Sequence, residues 1–505
     1  MDRNVTNHDG ELPREGWPLF NRRQTFATVA NFFASLKELP GYNYPELRKL
    51  GYESVIAGIP HFLGLKLAIG DQIYDSSMDL ETIIDFETTW NLKDGINTWR
   101  LTWTPKDLNI SLNIETTTLV HRTQEHRAAT QMQVTAHGGD VNCTVIDIFD
   151  GRSAVRSKLQ RKGLFDNTPS MHISLHPEGQ PNVTAYLTST ANVSNGYTGE
   201  SSRRLVEDLS NSNNMTIGQA WDVHLMEGKP AIFVKFVGIA STDEFPAAEN
   251  ISQEESLGAY RDGFDAILEP HIKEWNKIMA RNHFTNYRDP VNGRLPENDT
   301  VITAFQANAA VDHFTMMQTL RTPGKGQADT GVAVGGLYSD TYGGMTYWDQ
   351  DVWMLPAIVH TAPQHARQMV LARAKQLPQA KANVQAEYVQ AEYKFPKEAA
   401  LFPWSAGKFG NATATGPVLN YEYHSNAGIA LANFEYLYAT GDEDFFRDRL
   451  WNTTLAIGYA FDTLMIPDGN GYSIFNMTGP DEFHVSDSQY LYLCLTSGQF
   501  VSLVT

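Results

Sequence analysis

The segment "FNMTGPDEFHVSDS", residues 475–488, sets Asp481, Glu482 and His484 directly behind a Gly-Pro corner. Neighbouring carboxyls and an imidazole are the residue types of proton transfer. Cleavage of a glycosidic bond needs a protonated acid at the leaving oxygen, and a carboxyl in a dry aromatic pocket has its pKa raised toward that task. Glu482 is the candidate acid. Asp481 would hold it protonated by like-charge repulsion, or cap the next helix; His484 would orient a carboxylate, or simply pack. An inverting enzyme also needs a second carboxylate about 6.5–9.5 Å away, leaving room for a water. The sequence offers Asp349, Asp351 and Glu398 for it, with nothing to choose between them.

Two loops supply the rest of such a pocket. "GGLYSDTYGGMTYWDQDVWMLP" (335–356) presents Trp348, Asp349 and Asp351 amid glycines, and "FPKEAALFPWSAGKFGNATATG" (395–416) presents Phe402, Pro403 and Trp404. An indole face suits the C–H face of a sugar ring, and an adjacent carboxylate accepts hydrogen bonds from its hydroxyls. Taken singly, each of Trp348, Trp353 and Trp404 serves equally well as core filling between helices. Other chemistries lack their motifs: no HExxH or Cys/His spacing for a metal, no G-x-S-x-G elbow, no Walker lysine.

Around these loops the chain changes period once. From about Asn91 to Ser241 short runs alternate, as in "LNISLNIE", where Leu108, Ile110, Leu112 and Ile114 share a face, and Asp94-Gly95 lies between apolar strands as a hairpin turn. This predicts an antiparallel β-sandwich over residues 1–243. "LGAYRDGFDAILEPHIKEWNKIMARNHF" has helical spacing and predicts a helical linker over 244–298. Helices dominate from 299 onward, joined in places by short turns such as "ATGDEDFF", with Gly441 as C′ residue and Asp442 as N-cap. Successive helices on short turns predict a bundle or a ring of helical hairpins.

Composition narrows the partners. Among 505 residues, 42% are hydrophobic and 19% charged, so a folded globular chain is expected. Its length favours two domains. A net charge of −19 argues against nucleic acid or an anionic membrane surface as partner. No apolar run is long enough for a membrane span, and the first residues, MDRNVTNHDGELPREGWPLF, lack the apolar stretch of a signal peptide. Cys143 and Cys494 make no disulfide framework. Asn-X-Ser/Thr triplets, however, stand at Asn4, Asn109, Asn142, Asn182, Asn192, Asn214, Asn250, Asn298, Asn411, Asn452 and Asn476. Roughly four would arise by chance, so a glycosylated, secretory-route protein is expected.

Read together, "GLYSDTYGGMTYWDQDVWMLP", "FPKEAALFPWSAGKFGNATATGP", "YEYHSNAGIALANFEYLYATGD" and "NMTGPDEFH" resemble glycoside hydrolase family 65, which contains acid trehalases and disaccharide phosphorylases. Upstream, "RQTFATVANFF" and "GYESVIAGIPHFLGL" are similar to the family's β-domain entry. The "FPWSAGKFGN" run is most similar to the fungal trehalase branch. The resemblance implies an α+β multidomain protein, an N-terminal β-sandwich followed by an (α/α)6 barrel, and inverting hydrolysis of α,α-trehalose to two glucose molecules. By motif position it implies Glu482 as general acid and Trp348 with Asp349 as the glucose-binding pair. From the residues themselves, Trp404, Asp481 and His484 are further candidates for binding the substrate. It implies no metal and no organic cofactor. It also implies a place outside the cytosol: secreted, cell wall, periplasmic or vacuolar.

The acid loop, Gly479 to His484, is closer to the phosphorylases and to glucosidases acting on collagen-linked disaccharides. A phosphate-dependent phosphorylase and a non-catalytic sugar-binding protein therefore stay open as alternatives. The family pattern carries the catalytic region from 299 to 484; residues 485–505 are expected to be a non-family tail. Val485-Ser486 can be encoded by a splice-donor sequence, so this tail reads as translated intron and the barrel as incomplete, with little or no turnover expected of the chain as written and the base lying beyond it.

Overall fold

The two-residue period builds two antiparallel sheets. One is eight-stranded, in the order Ser157–Leu164, Ser170–Pro177, Ala185–Asn192, Ala231–Ser241, Arg127–His137, Ser111–Val120, Ile96–Trp103 and Ile83–Asn91. The other runs Tyr197–Thr198, Ile217–Leu225, Val141–Asp150, His61–Ile69 and Gln72–Tyr74, with Arg204–Val206 also paired to Ile217–Leu225. The computed structural model describes residues 26–36, 53–75, 78–193, 197–198, 203–207, 212–280, 283–320, 331–334, 336, 341–410, 423–468, 471–475, 477–478 and 485–486. The chain divides into two units, one of Met1–Phe32, Ala57–Pro177 and Pro181–Thr322, the other of Phe33–Ile56, Glu178–Gln180 and Pro323–Thr505.

In the first unit the sheets enclose a core that includes Leu67, Trp103, Leu112, Ile114, Val134, Val145, Trp221 and Phe233. Strand Ala231–Ser241 is buried on both faces, which explains its nearly unbroken apolar sequence. Its Lys235 reaches across to the other sheet, where Nζ pairs with Asp147 at 2.7 Å and donates to the Ile148 carbonyl at 2.6 Å. Asp147 also accepts from Ser189 Oγ at 2.7 Å and Gln219 Nε2 at 2.9 Å, so the buried charges are paired and hydrogen-bonded. The Asp94-Gly95 hairpin forms as its sequence predicts, between Ile83–Asn91 and Ile96–Trp103. Gly95 has φ 69°, and a Cβ there would collide with the Trp275 indole. Leu108 departs from the alternation: Asp107 at φ 62° breaks the strand, which starts only at Ser111, and leaves Leu108 exposed while Leu112 and Ile114 are buried.

The stretch read as one linker helix makes two, Ala248–Asp262 and Phe264–Ile278, because Gly263 at φ 85° leaves the right-handed region. Both pack on the eight-stranded sheet, with Ala259, Phe264 and Ile267 against Leu119, Ala129, Val234 and Phe236. Helix Thr300–Thr319 groups with this unit too, its Phe314 stacked on Trp275 at 4.5 Å.

The second unit is mainly helical: Leu355–Val359, Pro363–Lys375, Leu377–Val384, Glu387–Glu392, His424–Thr440, and Glu443–Phe445 continuing through Phe446–Leu450 into Trp451–Leu464. The Gly441 and Asp442 joint forms as read, with Gly441 left-handed at φ 69° and the Asp442 carboxylate accepting from the Phe445 N–H at 3.1 Å. Val384, Phe395, Phe402, Ile429, Ile457 and Phe461 share one apolar core. The hairpin of Phe33–Leu36 and Glu53–Ile56 belongs to this unit. Gly344, at φ 65°, packs so tightly on Ile56 that a Cβ would come within 2.5 Å of its side chain. Among the described residues no helix is long and apolar enough to cross a membrane.

Candidate functional site

Three segments of the second unit meet through backbone and side-chain bonds. Loop residue Thr346 and loop residue Ala406 exchange two N–H to carbonyl bonds, both 2.8 Å. The second loop is tied in turn to the start of helix His424–Thr440. The Phe402 N–H donates to Asn426 Oδ1 at 2.7 Å, and Asn426 Nδ2 donates to the Phe402 carbonyl at 3.1 Å. A side-chain amide pairing both ways with the N–H and carbonyl of one residue fixes the loop as a sheet neighbour would.

These ties place the aromatic residues. Trp404 stands edge-on to Tyr347 at 4.9 Å and 87°, while the next residue, Trp348, stands edge-on to His424 at 5.4 Å and 82° and lies 5.8 Å from Trp353. Trp348 and Asp349 are half-buried, and Trp404 is buried. Three polar atoms in this neighbourhood, Trp404 Nε1, Ser405 Oγ and Ser425 Oγ, are buried without a hydrogen-bond partner among the described residues. Ser405 is 1% exposed and Ser425 2%. Leaving such a group unsatisfied costs about 1–3 kcal/mol, so each would gain from a polar partner. His424 is held neutral by burial, its pKa pushed down to about 4.

The acidic candidates separate. Asp351 is 2% exposed and gripped by Arg373, whose Nε and Nη2 donate to Oδ2 at 3.1 and 2.7 Å. Arg373 Nη2 also donates to the Tyr347 carbonyl at 2.9 Å, and Gln350 Nε2 to Asp351 Oδ1 at 3.1 Å. Gln350 Oε1 then accepts from the Val332 N–H at 2.7 Å. A carboxylate so engaged braces the Tyr347–Trp348 loop. Glu398 lies well exposed beside Lys397 at 3.8 Å. Asp349 directly follows Trp348 and is half-buried. Asp481, Glu482 and His484 lie outside the described residues. Among the described residues no group of three or more His, Cys, Asp or Glu side chains is placed to hold a metal ion.

His424, Ser425, Asn426 and Arg373 join the site without having been singled out from the sequence. The run "YEYHSN" did carry a signal, since it crowds polar types onto the first turn of an otherwise apolar helix. Arg373 carries none, because its partner lies 22 residues away.

The profile of "Glycosyl hydrolase family 65, N-terminal domain" matches residues 8–278, and that of "Glycosyl hydrolase family 65 central catalytic domain" matches residues 312–499. An acid trehalase of Emericella nidulans is 34% identical over 93% of this chain and 45% of its own length. A cell wall acid trehalase of Arthroderma benhamiae is 33% identical, with the same two coverages. The chain thus spans less than half the length of these curated relatives. A solved structure named as a candidate kojibiose phosphorylase from the human microbiome superposes with a TM-score of 0.73 at 14% identity, covering 94% of this chain and 58% of that one, which shows a shared fold.

Proposed function

Because the chain belongs to glycoside hydrolase family 65, we propose that it serves the hydrolysis of α,α-trehalose to two glucose molecules with inversion at the attacked carbon. Residues 299–484 are its catalytic part. The Glu482 carboxyl donates its proton to the bridging oxygen as the C–O bond breaks, and a water attacks the anomeric carbon from the opposite face, losing its proton to a second carboxylate. Trp348 and Asp349 hold glucose, with Trp404, Asp481 and His484 also binding the substrate. No metal or organic cofactor takes part. The observation that supports this reading best is the pair of aromatic contacts Tyr347–Trp404 and Trp348–His424, with the unpartnered Trp404 Nε1, Ser405 Oγ and Ser425 Oγ on the same segments. A preorganised set of donors and acceptors in a water-poor aromatic site is what recognition of sugar hydroxyls needs. The trehalase relatives favour water over phosphate as acceptor.

The protein follows the secretory route and carries N-linked glycans, a reading supported by the sequon density and by the cell wall relative. Glucose release from trehalose by the full protein, with and without inorganic phosphate, tests the activity. Phosphate-independent release, falling by about 10²–10⁴ in Glu482→Gln, is the expected result. Strict phosphate dependence would move the assignment to a phosphorylase. Trehalose binding with no turnover under any condition would leave a sugar-binding protein.

A further inference from the structure

The described residues include eight of the sequons, and the fold does not treat them alike. Asn109 lies in a bend before strand Ser111–Val120, Asn182 in the turn before Ala185–Asn192, Asn214 in the turn before Ile217–Leu225, and Asn298 in the loop before helix Thr300–Thr319. All four are exposed, and among the described residues no hydrogen bond engages their side chains. Asn192 is the contrary case. It is half-buried at the end of a strand that has neighbours on both sides, paired with Val234.

Resting on the secretory reading above, we infer that Asn109, Asn182, Asn214 and Asn298 carry glycans and that Asn192 stays bare. In the transfer, Nδ2 bonds to the anomeric carbon of the first N-acetylhexosamine of a lipid-diphosphate-linked oligosaccharide. The bond from that carbon to the diphosphate oxygen breaks, the lipid diphosphate leaves with the electron pair, and the amide gives up one proton. A glycan is bulky and strongly hydrated, so it is compatible with folding only where the side chain points into water. At the four turn and loop positions nothing has to move. At Asn192 the same group would have to enter a sheet face already packed.

The sequons at Asn182 and Asn214 have a second rationale in their hydroxyl residue. Thr184 and Thr216 are buried, and Thr216 Oγ1 accepts from the Gly151 N–H at 3.1 Å. Variants should therefore change the asparagine, not the threonine. The native protein is treated with peptide N-glycosidase in ¹⁸O water, and its peptides are read by mass spectrometry for the heavy aspartate that marks a released glycan. Heavy aspartate at 109, 182, 214 and 298, with unlabelled Asn192, is expected. Each of Asn109→Gln, Asn182→Gln, Asn214→Gln and Asn298→Gln should then lose one step of glycosidase-sensitive gel mobility while its unfolding midpoint after glycan removal is unchanged. Label at Asn192, or at other sequons while these four stay bare, overturns the inference. Absence of label at every sequon overturns it together with the secretory reading, leaving the trehalase assignment untouched.

Discussion

Asn426 clasps the backbone of Phe402, accepting its N–H at 2.7 Å and donating to its carbonyl at 3.1 Å, in a place where both residues are buried. Two residues farther on stands Trp404. The amide thus carries the position of an aromatic loop on the first turn of a helix. Asn426→Leu would strand two buried backbone groups and should cost about 2–4 kcal/mol in urea unfolding. Asn426→Asp keeps the acceptor but sets a carboxylate against a carbonyl. It should lower stability as well as raise the KM for trehalose, since a buried carboxylate oxygen is left without a donor.

Ser405→Ala and Ser425→Ala are expected to behave in the opposite way. Neither hydroxyl has a partner in the described protein, so removal should leave the unfolding free energy unchanged or slightly raise it. If the hydroxyls meet sugar, each variant should lose about 5–15-fold in kcat/KM for trehalose, the equivalent of one hydrogen bond of about 1–1.5 kcal/mol. Unchanged kinetics with lowered stability would instead mean that the serines serve packing.

The ion pair of Asp351 and Arg373, 2.7 Å apart with side chains 1% and 3% exposed, gives a sharper stability test. Asp351→Asn or Arg373→Met alone should cost about 3–5 kcal/mol, since each strands a buried charge. The double change Asp351→Leu with Arg373→Met should recover much of that loss in denaturant melts. Activity should not return with stability, because Arg373 also holds the Tyr347 carbonyl at 2.9 Å.

Buried neutral histidines set the acid limit. His424 falls from 6.5 to about 4 through burial, and His61 falls equally far through burial and then repulsion from Lys235. Between these pH values the unfolded chain binds a proton that the folded one refuses, so stability drops as pH falls through 6.5 toward 4. For each histidine the fall from 6.5 to about 4 sets an upper bound of about 3 kcal/mol. His424→Phe should flatten the dependence of the urea midpoint between about pH 7 and about pH 5. An unaltered slope would show that His424 titrates alike in the folded and the unfolded chain.

Local signals in the sequence were good guides wherever one or two residues decide the outcome. Asp94-Gly95 forms its hairpin, and Gly441 with Asp442 ends one helix and starts the next, because a left-handed glycine and a capping carboxylate act within a single turn. Gly263 was passed over in a helical pattern that the apolar spacing of its neighbours made persuasive, and its φ of 85° splits the helix. At the site, Trp348 and Trp404 were visible as residue types. Their meeting with Tyr347 and His424 was not, because it depends on pairings such as Thr346 with Ala406 that connect positions 60 apart. Asp351 looked as available as Asp349 until Arg373 was seen to occupy it.

The hairpin of Phe33–Leu36 and Glu53–Ile56 groups with residues from Pro323 onward, and Ile56 fills the hollow under Gly344. During synthesis on the ribosome, these early strands emerge long before the segment that receives them. They must wait, or be sheltered by a chaperone, while more than half of the polypeptide is still being made. A fragment designed to begin at 323 would lack them altogether, and should be rescued by supplying residues 26–56 as a separate peptide.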